Sequence, residues 1–309
     1  MGLLNVIQEQ GEASQAGDAH GAADAGHGAG LEISEVPGFI EDHLADGGYI
    51  EFFGWHWDVS ALLHMEPIQV AGLTLNLTPT RHTVFLALAA ILCLAVFIPL
   101  GRAAARRDPY RAPSGFQNGI EALILYFRDK VVRANIGHGA DRFAPLILTL
   151  FFFILFMNVL GLTPFGVTAT GNLSVTAALA IIAFIVTEVS GFRELGPAGY
   201  AKTIFVVPEG LPMVLKPVML LIMTPVEFLG KLTKPFALAV RLFANMIAGH
   251  TLLLAAIGMI FVYQNMAVAG GSVLAASALM VLELFVATLQ AYIFAMLTSV
   301  FIGLIQHAH

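Results

Sequence analysis

Long hydrophobic stretches without charged residues set the pattern of this chain from residue 82 onward. A membrane helix needs roughly 20 apolar residues to cross a hydrocarbon core of about 30 Å, and residues 82–101 (HTVFLALAAILCLAVFIPLG) meet this length. Residues 143–187 contain no Asp, Glu, Lys or Arg, and a turn-like segment at 163–174 (TPFGVTATGNLS) divides them in two. The pattern therefore predicts one span followed by an antiparallel pair of spans.

Two further hydrophobic runs close the chain, at residues 235–263 and 272–306, with an uncharged turn predicted between them at 264–271 (QNMAVAGG). The final run is about 35 residues long, which corresponds to about 52 Å of helix at 1.5 Å per residue. Because this length exceeds the thickness of the hydrocarbon core, the helix must tilt strongly or lie partly along the membrane, unless its last turns emerge into the cytoplasm.

Basic residues indicate which loops face the cytoplasm. Eight Lys and Arg residues lie between the first and second spans, and the positive-inside rule places such a loop inside. Within this loop, residues 115–132 (GFQNGIEALILYFRDKVV) mix apolar and charged residues at helical spacing, which predicts a helix at the membrane interface. The resulting topology puts the N-terminus outside and the C-terminus inside.

The composition excludes a water-soluble fold, since 58% of the 309 residues are hydrophobic, 12% are charged and the mean hydropathy is +0.81. The net charge of −6 hides an asymmetry, because residues 1–80 hold twelve Asp and Glu but no Lys or Arg. We predict a disordered acidic tail rich in Gly, Ala and His at 1–37, an interfacial segment on the outer side at 38–80, and a membrane domain at 81–309.

Two charged side chains stand out in the last two predicted helices because they lie at bilayer depth. Arg241 lies in an apolar run, and Glu283 is the only other charged residue from position 241 to the C-terminus. A charge at this depth costs at least about 2.5 to 3.5 kcal/mol, so it is normally turned inward, paired and functional. We therefore expect Arg241 to face a polar partner rather than to snorkel to the interface.

The polar residues of these two helices fall at matching depths. In an antiparallel hairpin, facing residues have position numbers with a constant sum, and a turn centred near residue 267 predicts a sum of about 534. The sums are 535 for Asn245 with Gln290, 533 for His250 with Glu283, and 531 for Arg241 with Gln290. Either these groups form interhelical hydrogen bonds that only hold the hairpin together, or they line an ion path.

The ion-path interpretation assigns different tasks to these residues. His250 and Glu283 both titrate, and a carboxylate beside an imidazole inside a membrane can relay protons. The guanidinium of Arg241 does not deprotonate, so it repels protons and attracts any carboxylate that comes near it. An arginine that divides a proton path implies two half-channels, between which a mobile carboxylate outside this chain must carry the proton.

Six segments of the chain carry a family resemblance, and the arginine-containing segment 234–252 (KPFALAVRLFANMIAGHTL) is the most specific of them. The others are 113–121 (PSGFQNGIE), 157–164 (MNVLGLTP), 170–180 (TGNLSVTAALA), 225–229 (PVEFL) and 289–300 (LQAYIFAMLTSV). Together they resemble subunit a of the F-type ATP synthase, the membrane stator that faces the rotating c-ring. The resemblance extends from about residue 80 to the end of the chain.

The resemblance implies a role for the polar residues of the last two helices. Arg241 is implied to be the stator arginine that draws the c-subunit carboxylate into its deprotonated form, with Asn245 and Gln290 as polar neighbours. His250 and Glu283 are implied to line the half-channel that opens to the outside. Some bacterial members hold the acid and the imidazole the other way round at these two positions.

Positions outside the last hairpin are implied by the same resemblance. Asn158 matches a channel-side position, whereas Gly161 stands where some bacterial members have an Asp, so one carboxylate of the outer path is missing. Glu227 and Lys234 match positions near the inner exit, and Glu227 is the candidate that hands protons to the cytoplasm. Glu188, at the inner end of its span, is interpreted as an interface residue.

The resemblance implies an all-α membrane protein with about five membrane helices plus an interfacial helix, in which the last two helices form a long, steeply tilted hairpin facing a c-ring. The expected partners are the c-ring, the b-subunit peripheral stalk, the remaining subunits and the lipid bilayer of a bacterial inner membrane. No nucleic-acid partner is expected. The chain has no glycine loop of the Walker type, so we expect it to be non-catalytic, without cofactor or metal. The translocated ion is expected to be H⁺, and the sequence leaves Na⁺ open.

Two functions from other classes remain open at this point: an autonomous secondary transporter or proton channel, and a structural membrane scaffold. The absence of a visible inverted repeat argues against the common transporter folds. A transporter conducts ions by itself, whereas a stator conducts only with a c-ring. A scaffold tolerates the loss of Arg241 and Glu283.

Overall fold

The computed structural model of this protein describes its membrane domain and short pieces of the N-terminal region. The described residues are 36–38, 40, 49–52, 55–58, 68–70, 73–75, 80–108, 113, 115–163, 168–205 and 216–307. Residues 1–35 of the predicted acidic tail lie outside them. The division at residues 37 and 80 therefore stays a prediction.

Five helices of the described residues are long and apolar enough to cross a membrane, as the hydrophobic pattern predicts. Short helical segments separate the first of these from the second, and a two-residue turn separates the last two. In chain order the helices are α1 (Arg81–Arg106), α2 (Phe116–Tyr126), α3 (Arg133–Ile136), α4 (Ala144–Gly161), α5 (Leu173–Ile204), α6 (Lys216–Tyr263) and α7 (Met266–Gln306).

The predicted interfacial helix at 115–132 is present but longer than expected. Helix α2 continues through a π-helical segment at Phe127–Val132 into α3, which ends at Ile136. Phe127, Val131, Val132 and Ile136 are buried against the core, so one face of this element packs on the helix bundle.

Ion pairs join the polar face of this element to its neighbours. The Asp141 carboxylate accepts hydrogen bonds from Arg128 and Arg133 at 2.8 to 3.0 Å, and these guanidinium groups lower the pKa of Asp141. Arg107, just after α1, donates two bonds of 2.9 Å to Glu121 and lowers the pKa of that carboxyl. The Asp141 pairs are exposed and the Arg107–Glu121 pair is partly exposed, so they orient the segment rather than stabilise it strongly,.

Two short antiparallel β-hairpins precede α1 and are not among the elements predicted from the sequence. Tyr49–Phe52 pairs with Trp55–Asp58, and Ile68–Val70 pairs with Leu73–Leu75. Their aromatic and β-branched residues favour strands, but both hairpins lie within the segment 38–80, for which only an interfacial location is predicted. The prediction of an all-α membrane protein with five membrane helices is confirmed, and the two short hairpins lie before the first of these helices in the sequence.

Helix α6 begins at Lys216, about five turns before the predicted start at residue 235,. It contains Pro225 and Pro235, and its 48 residues correspond to about 72 Å of helix,. The prediction was wrong because proline usually marks a helix boundary. In membrane helices, neighbouring groups can satisfy the backbone that proline leaves free, so both prolines lie inside one helix.

The turn between the last two helices is also shorter than predicted. It consists of Gln264, which has a positive φ of 42°, and Asn265, whose side chain accepts a hydrogen bond of 2.9 Å from the amide of Ala267 and caps α7. Gly270 and Gly271, which were interpreted as turn residues, lie inside α7. The final helix therefore has 41 residues instead of about 35,.

Helix α7 lies at the centre of the bundle, in contact with α4, α5 and α6, while α1 packs on α4. The largest buried side chains that hold these contacts include Phe127, Ile147, Ile154, Phe294 and Ile302. One face of α6 and α7 stays exposed and is almost entirely apolar. The core thus fixes the inner faces of the hairpin and leaves its outer face for lipid or a partner.

Candidate functional site

His250 on α6 and Glu283 on α7 face each other across the final hairpin. Nδ1 of His250 lies 3.3 Å from Oε1 of Glu283, and the Glu283 side chain is only 8% exposed. Gly249 makes room for this carboxylate, because a Cβ at position 249 would lie 2.5 Å from Oε1 of Glu283. Oε2 of Glu283 is buried and has no hydrogen-bond partner among the described residues, so one carboxylate oxygen remains available to a proton or water.

Further polar contacts lead from His250 toward α1. The Thr168 hydroxyl lies 3.4 Å from both ring nitrogens of His250, and Nδ1 of His82 lies 3.0 Å from the Thr168 carbonyl oxygen. A carbonyl oxygen only accepts, so Nδ1 of His82 donates. In the neutral ring, Nε2 is then the nitrogen without a proton. His82 and Thr168 were not among the predicted site residues.

Asn158 attaches α4 to α7 beside the acid and imidazole. Its side chain is fully buried, its amide donates to the carbonyl of Ala287 at 3.2 Å, and its Oδ1 accepts a bond of 2.8 Å from Thr170. Ala287 follows Glu283 by one helical turn, so Asn158 lies against the face of α7 that carries Glu283. The structure therefore brings Asn158, His250 and Glu283 into one polar layer.

Gly161 is the position where the resemblance implies a missing carboxylate. A Cβ at this position would lie 2.9 Å from Cα of Thr168 and would overlap its methyl group. An Asp side chain therefore does not fit while Thr168 contacts His250. In this chain, the methyl group and Cα of Thr168 fill the space beside position 161.

Arg241 lies on the exposed face of α6. Neither a hydrogen bond nor an ion pair joins it to another described residue, Gln290 included. Gln290 is buried with its Nε2 unpartnered, and half-buried Asn245 does not bond to it. The polar partner expected for Arg241 is therefore not supplied by the part of the chain that the structure describes.

A second polar cluster lies between α5 and α6, on the side of Arg241 opposite to His250. It surrounds a cavity of about 210 Å³ whose polar lining includes Glu188, Glu227, Lys231, Lys234 and Thr203. The predicted exit residue Glu227 and the predicted interface residue Glu188 thus line the same cavity. In the described ranges, no three His, Cys, Asp or Glu side chains come together as metal ligands.

A kink in α5 builds one wall of this cavity. Gly196 has φ 68°, so the helix direction changes there. The Tyr200 hydroxyl donates to Oε2 of Glu188, although twelve positions span about 18 Å in a straight helix,. Lys231 on α6 donates to the Thr203 hydroxyl at 2.9 Å and lies 4.5 Å above the Tyr200 ring. The bent end of α5 is thereby attached to α6.

These features define a multi-pass membrane protein with ionisable side chains inside its helix bundle and, on its outer face, an arginine without an ion-pair partner among the described residues. The chain matches the family model described as ATP synthase A chain over residues 83–303. ATP synthase subunit a of Myxococcus xanthus (strain DK1622) is 48% identical over 233 residues, which cover 74% of this chain and 73% of that protein. The subunit a of Anaeromyxobacter dehalogenans (strain 2CP-C) is 41% identical over 332 residues, covering 97% and 84%. The chain therefore belongs to the ATP synthase subunit a family.

The contact between His82 and Thr168 leads to a testable prediction. Asn at position 82 keeps an N–H near the position of Nδ1, whereas Leu removes it. We expect His82→Leu to lower proton-driven ATP synthesis about fivefold, because a lost buried hydrogen bond is worth about 1 kcal/mol, and His82→Asn to retain most of the rate. The rates are measured in membrane vesicles, with His138→Leu at an exposed histidine as the control.

A full rate in His82→Leu would show that Thr168 does not need this anchor. An Asn variant as slow as the Leu variant would show that the imidazole ring itself, rather than its donor, is required.

Proposed function

We propose that this chain provides two offset proton half-channels to a rotating ring of c-subunits and so couples proton flow to ATP synthesis. Membership in the family makes it the proton-translocating membrane subunit of an ATP synthase. The single observation that carries the finer proposal is the separation of two polar clusters by one exposed arginine on α6. The cluster of Asn158, His250 and Glu283 lies on one side of Arg241, and the cavity of Glu227 lies on the other.

The first half-channel passes His250 and Glu283 from the outer side. Glu283 is buried, has one oxygen without a hydrogen-bond partner among the described residues and contacts an imidazole. A carboxylate and an imidazole both titrate, so together they can relay protons inside the membrane. Asn158 and Thr168 supply hydrogen-bonding side chains along this layer. A proton that reaches Glu283 is passed to a carboxylate of the c-ring.

Arg241 separates the two half-channels. Its guanidinium remains protonated, is exposed on the helix face and lacks a partner among the described residues. Ala237, Ala244 and Ala248 are exposed on the same stripe of α6, so a neighbouring helix can approach closely there. The carboxylate of a c-subunit is the partner that this geometry suits: it loses its proton beside Arg241, and the fixed positive charge blocks direct proton flow between the paths.

The second half-channel passes the cavity of Glu227 toward the cytoplasm, where Lys231 and Lys234 mark the inner interface. Each proton that crosses the membrane potential releases about 2.3 kcal/mol per 100 mV, so several protons drive one ATP. The chain itself is non-catalytic and binds no cofactor. The b-subunit stalk holds it, its N-terminus faces outside, its C-terminus faces the cytoplasm of a bacterial inner membrane, and H⁺ is the translocated ion.

Reconstitution tests the proposed function. We expect the purified chain in liposomes to show no proton flux under an imposed potassium diffusion potential, and the chain together with its c-ring to conduct. Purification of the chain under mild conditions should also recover a ring of small proteins that each carry one mid-membrane carboxylate. Proton flux through the chain alone would instead identify an autonomous transporter or channel and would overturn the proposal.

A further inference from the structure

The cavity between α5 and α6 contains two carboxylates, Glu188 and Glu227, of which the proposed function uses only Glu227. We propose that Glu188 is a second proton-accepting group of the inner path and that Lys231 and Tyr200 position it. This inference rests on the proposed function, since it adds a residue to the inner half-channel. It replaces the interpretation of Glu188 as an interface residue.

The burial of Glu188 argues against a surface role. Its side chain is 18% exposed and that of Lys231 is 11% exposed. Removing two charges from water costs several kcal/mol per ion unless their geometry is excellent. An ordinary interface carboxylate at the end of a span would stay in water, as Glu194 does six residues later with 50% of its side chain exposed.

The geometry is not that of a tight structural ion pair. Nζ of Lys231 lies 3.5 Å from Oε2 of Glu188, whereas charge-assisted hydrogen bonds are about 2.7 to 2.9 Å long. The shorter bond of Lys231, at 2.9 Å, goes to the Thr203 hydroxyl, and its ammonium lies over the Tyr200 ring. Lys231 is therefore held by the bent end of α5, and its charge reaches Glu188 without engaging both carboxylate oxygens.

One oxygen of Glu188 stays available for protons. The Tyr200 hydroxyl and the Lys231 ammonium both contact Oε2, and within the ranges that the structure describes no hydrogen bond is formed by Oε1. Because Glu188 lines the cavity together with Glu227, Oε1 can take a proton that arrives from the ring side and release it to cavity water. The carboxylate is restored in each cycle, and the proton moves to the cytoplasm.

Two carboxylates in one cavity predict partial redundancy. In inverted membrane vesicles that carry the complete ATP synthase, we expect Glu188→Gln and Glu227→Gln each to lower ATP-driven proton pumping about two- to fivefold, and the double variant to lower it more than about tenfold. Glu194→Gln is the matched control, because it removes an exposed acid from the same helix. Its rate should equal that of the unmodified enzyme.

A second pair of variants separates proton transfer from packing. Asp and Asn have the same size, so Glu188→Asp and Glu188→Asn are compared in the Glu227→Gln background. We expect the Asp variant to pump faster than the Asn variant at equal amounts of assembled complex, measured by recovery of the c-ring with this chain. A structural ion pair with Lys231 would instead lower assembly and leave the rate per assembled complex unchanged.

The result that overturns this inference is a double variant as active as Glu227→Gln alone, or equal rates per complex for Asp and Asn at position 188. Either outcome would assign Glu188 to packing. If Glu188→Gln fails to assemble, the comparison of Glu188→Asp with Glu188→Asn per assembled complex decides between packing and proton transfer. Arg241→Ala, measured in the same vesicles, tests the proposed function separately. If Arg241→Ala abolishes pumping while the Glu188 variants have no effect, only the present inference fails.

Discussion

Arg241→Ala abolishes proton-driven ATP synthesis while leaving the complex assembled: this is the largest effect that we expect from a single substitution. The guanidinium lies on the exposed face of α6, so its removal leaves the core and the hairpin contacts intact. In the proposed mechanism, no other group then draws a c-subunit carboxylate into its deprotonated form. A direct proton leak between the half-channels also becomes possible.

The measurement is ATP synthesis in energised vesicles, together with passive proton conduction after removal of the soluble catalytic part. Arg193→Ala is the control, because it removes an exposed arginine from α5. We expect Arg241→Lys to be nearly as inactive as Arg241→Ala, since a lysine lacks the planar fork that pairs with a carboxylate. Coupled synthesis at the unmodified rate in Arg241→Ala would contradict the whole mechanism and would favour a scaffold.

The positions of the membrane spans could be predicted because lipid imposes a strict requirement on the backbone. Unsatisfied peptide groups are too costly inside hydrocarbon, so each run of about 20 apolar residues must form a helix, and all five runs do. Helix ends were harder to predict. Pro235 and Gly271 carry local signals for a boundary, but the surrounding membrane helices continue through both.

The acid and imidazole of the site could also be paired from sequence, because depth in a hairpin is a one-dimensional quantity. The His250 and Glu283 contact was placed at the right depth even though the predicted turn was too long. The true turn at Gln264 and Asn265 shifts the expected pairing by about one helical turn. The observed contact therefore lies about one helical turn away from the pairing that a turn centred between Gln264 and Asn265 implies,.

Contacts that depend on a third element could not be predicted from sequence. His82 and Thr168 are 86 positions apart, and they meet only because α1 packs beside the turn that precedes α5. The hydroxyl of Tyr200 contacts Glu188 only because α5 bends at Gly196, between the two residues. The dipeptide of Gly196 and Pro197 is a recognisable break signal, so this kink was the one detectable sign that the end of α5 turns back.

Glu283→Gln is expected to lower ATP synthesis and proton conduction by at least about tenfold, the second largest effect. Gln matches the size of Glu, so it fits beside Gly249, where the space allows no additional atom. It can also keep a hydrogen bond to His250. What it loses is the ability to bind and release a proton at the buried oxygen that has no hydrogen-bond partner among the described residues. A large loss of rate in an assembled complex therefore reports proton transfer rather than packing.

Exchanging the two groups sharpens this test. In the double variant His250→Glu with Glu283→His, an acid and an imidazole remain at the same depth, so we expect a rate above that of either single substitution. Thr288→Val, at an exposed position of α7, controls for changes in the helix itself. If Glu283→Gln conducts protons at the unmodified rate, the contact with His250 only holds the hairpin together, and the outer path must run elsewhere. If both single variants are slow but the exchanged pair recovers, the pairing of an acid with an imidazole, rather than the identity of either position, is what the outer path requires.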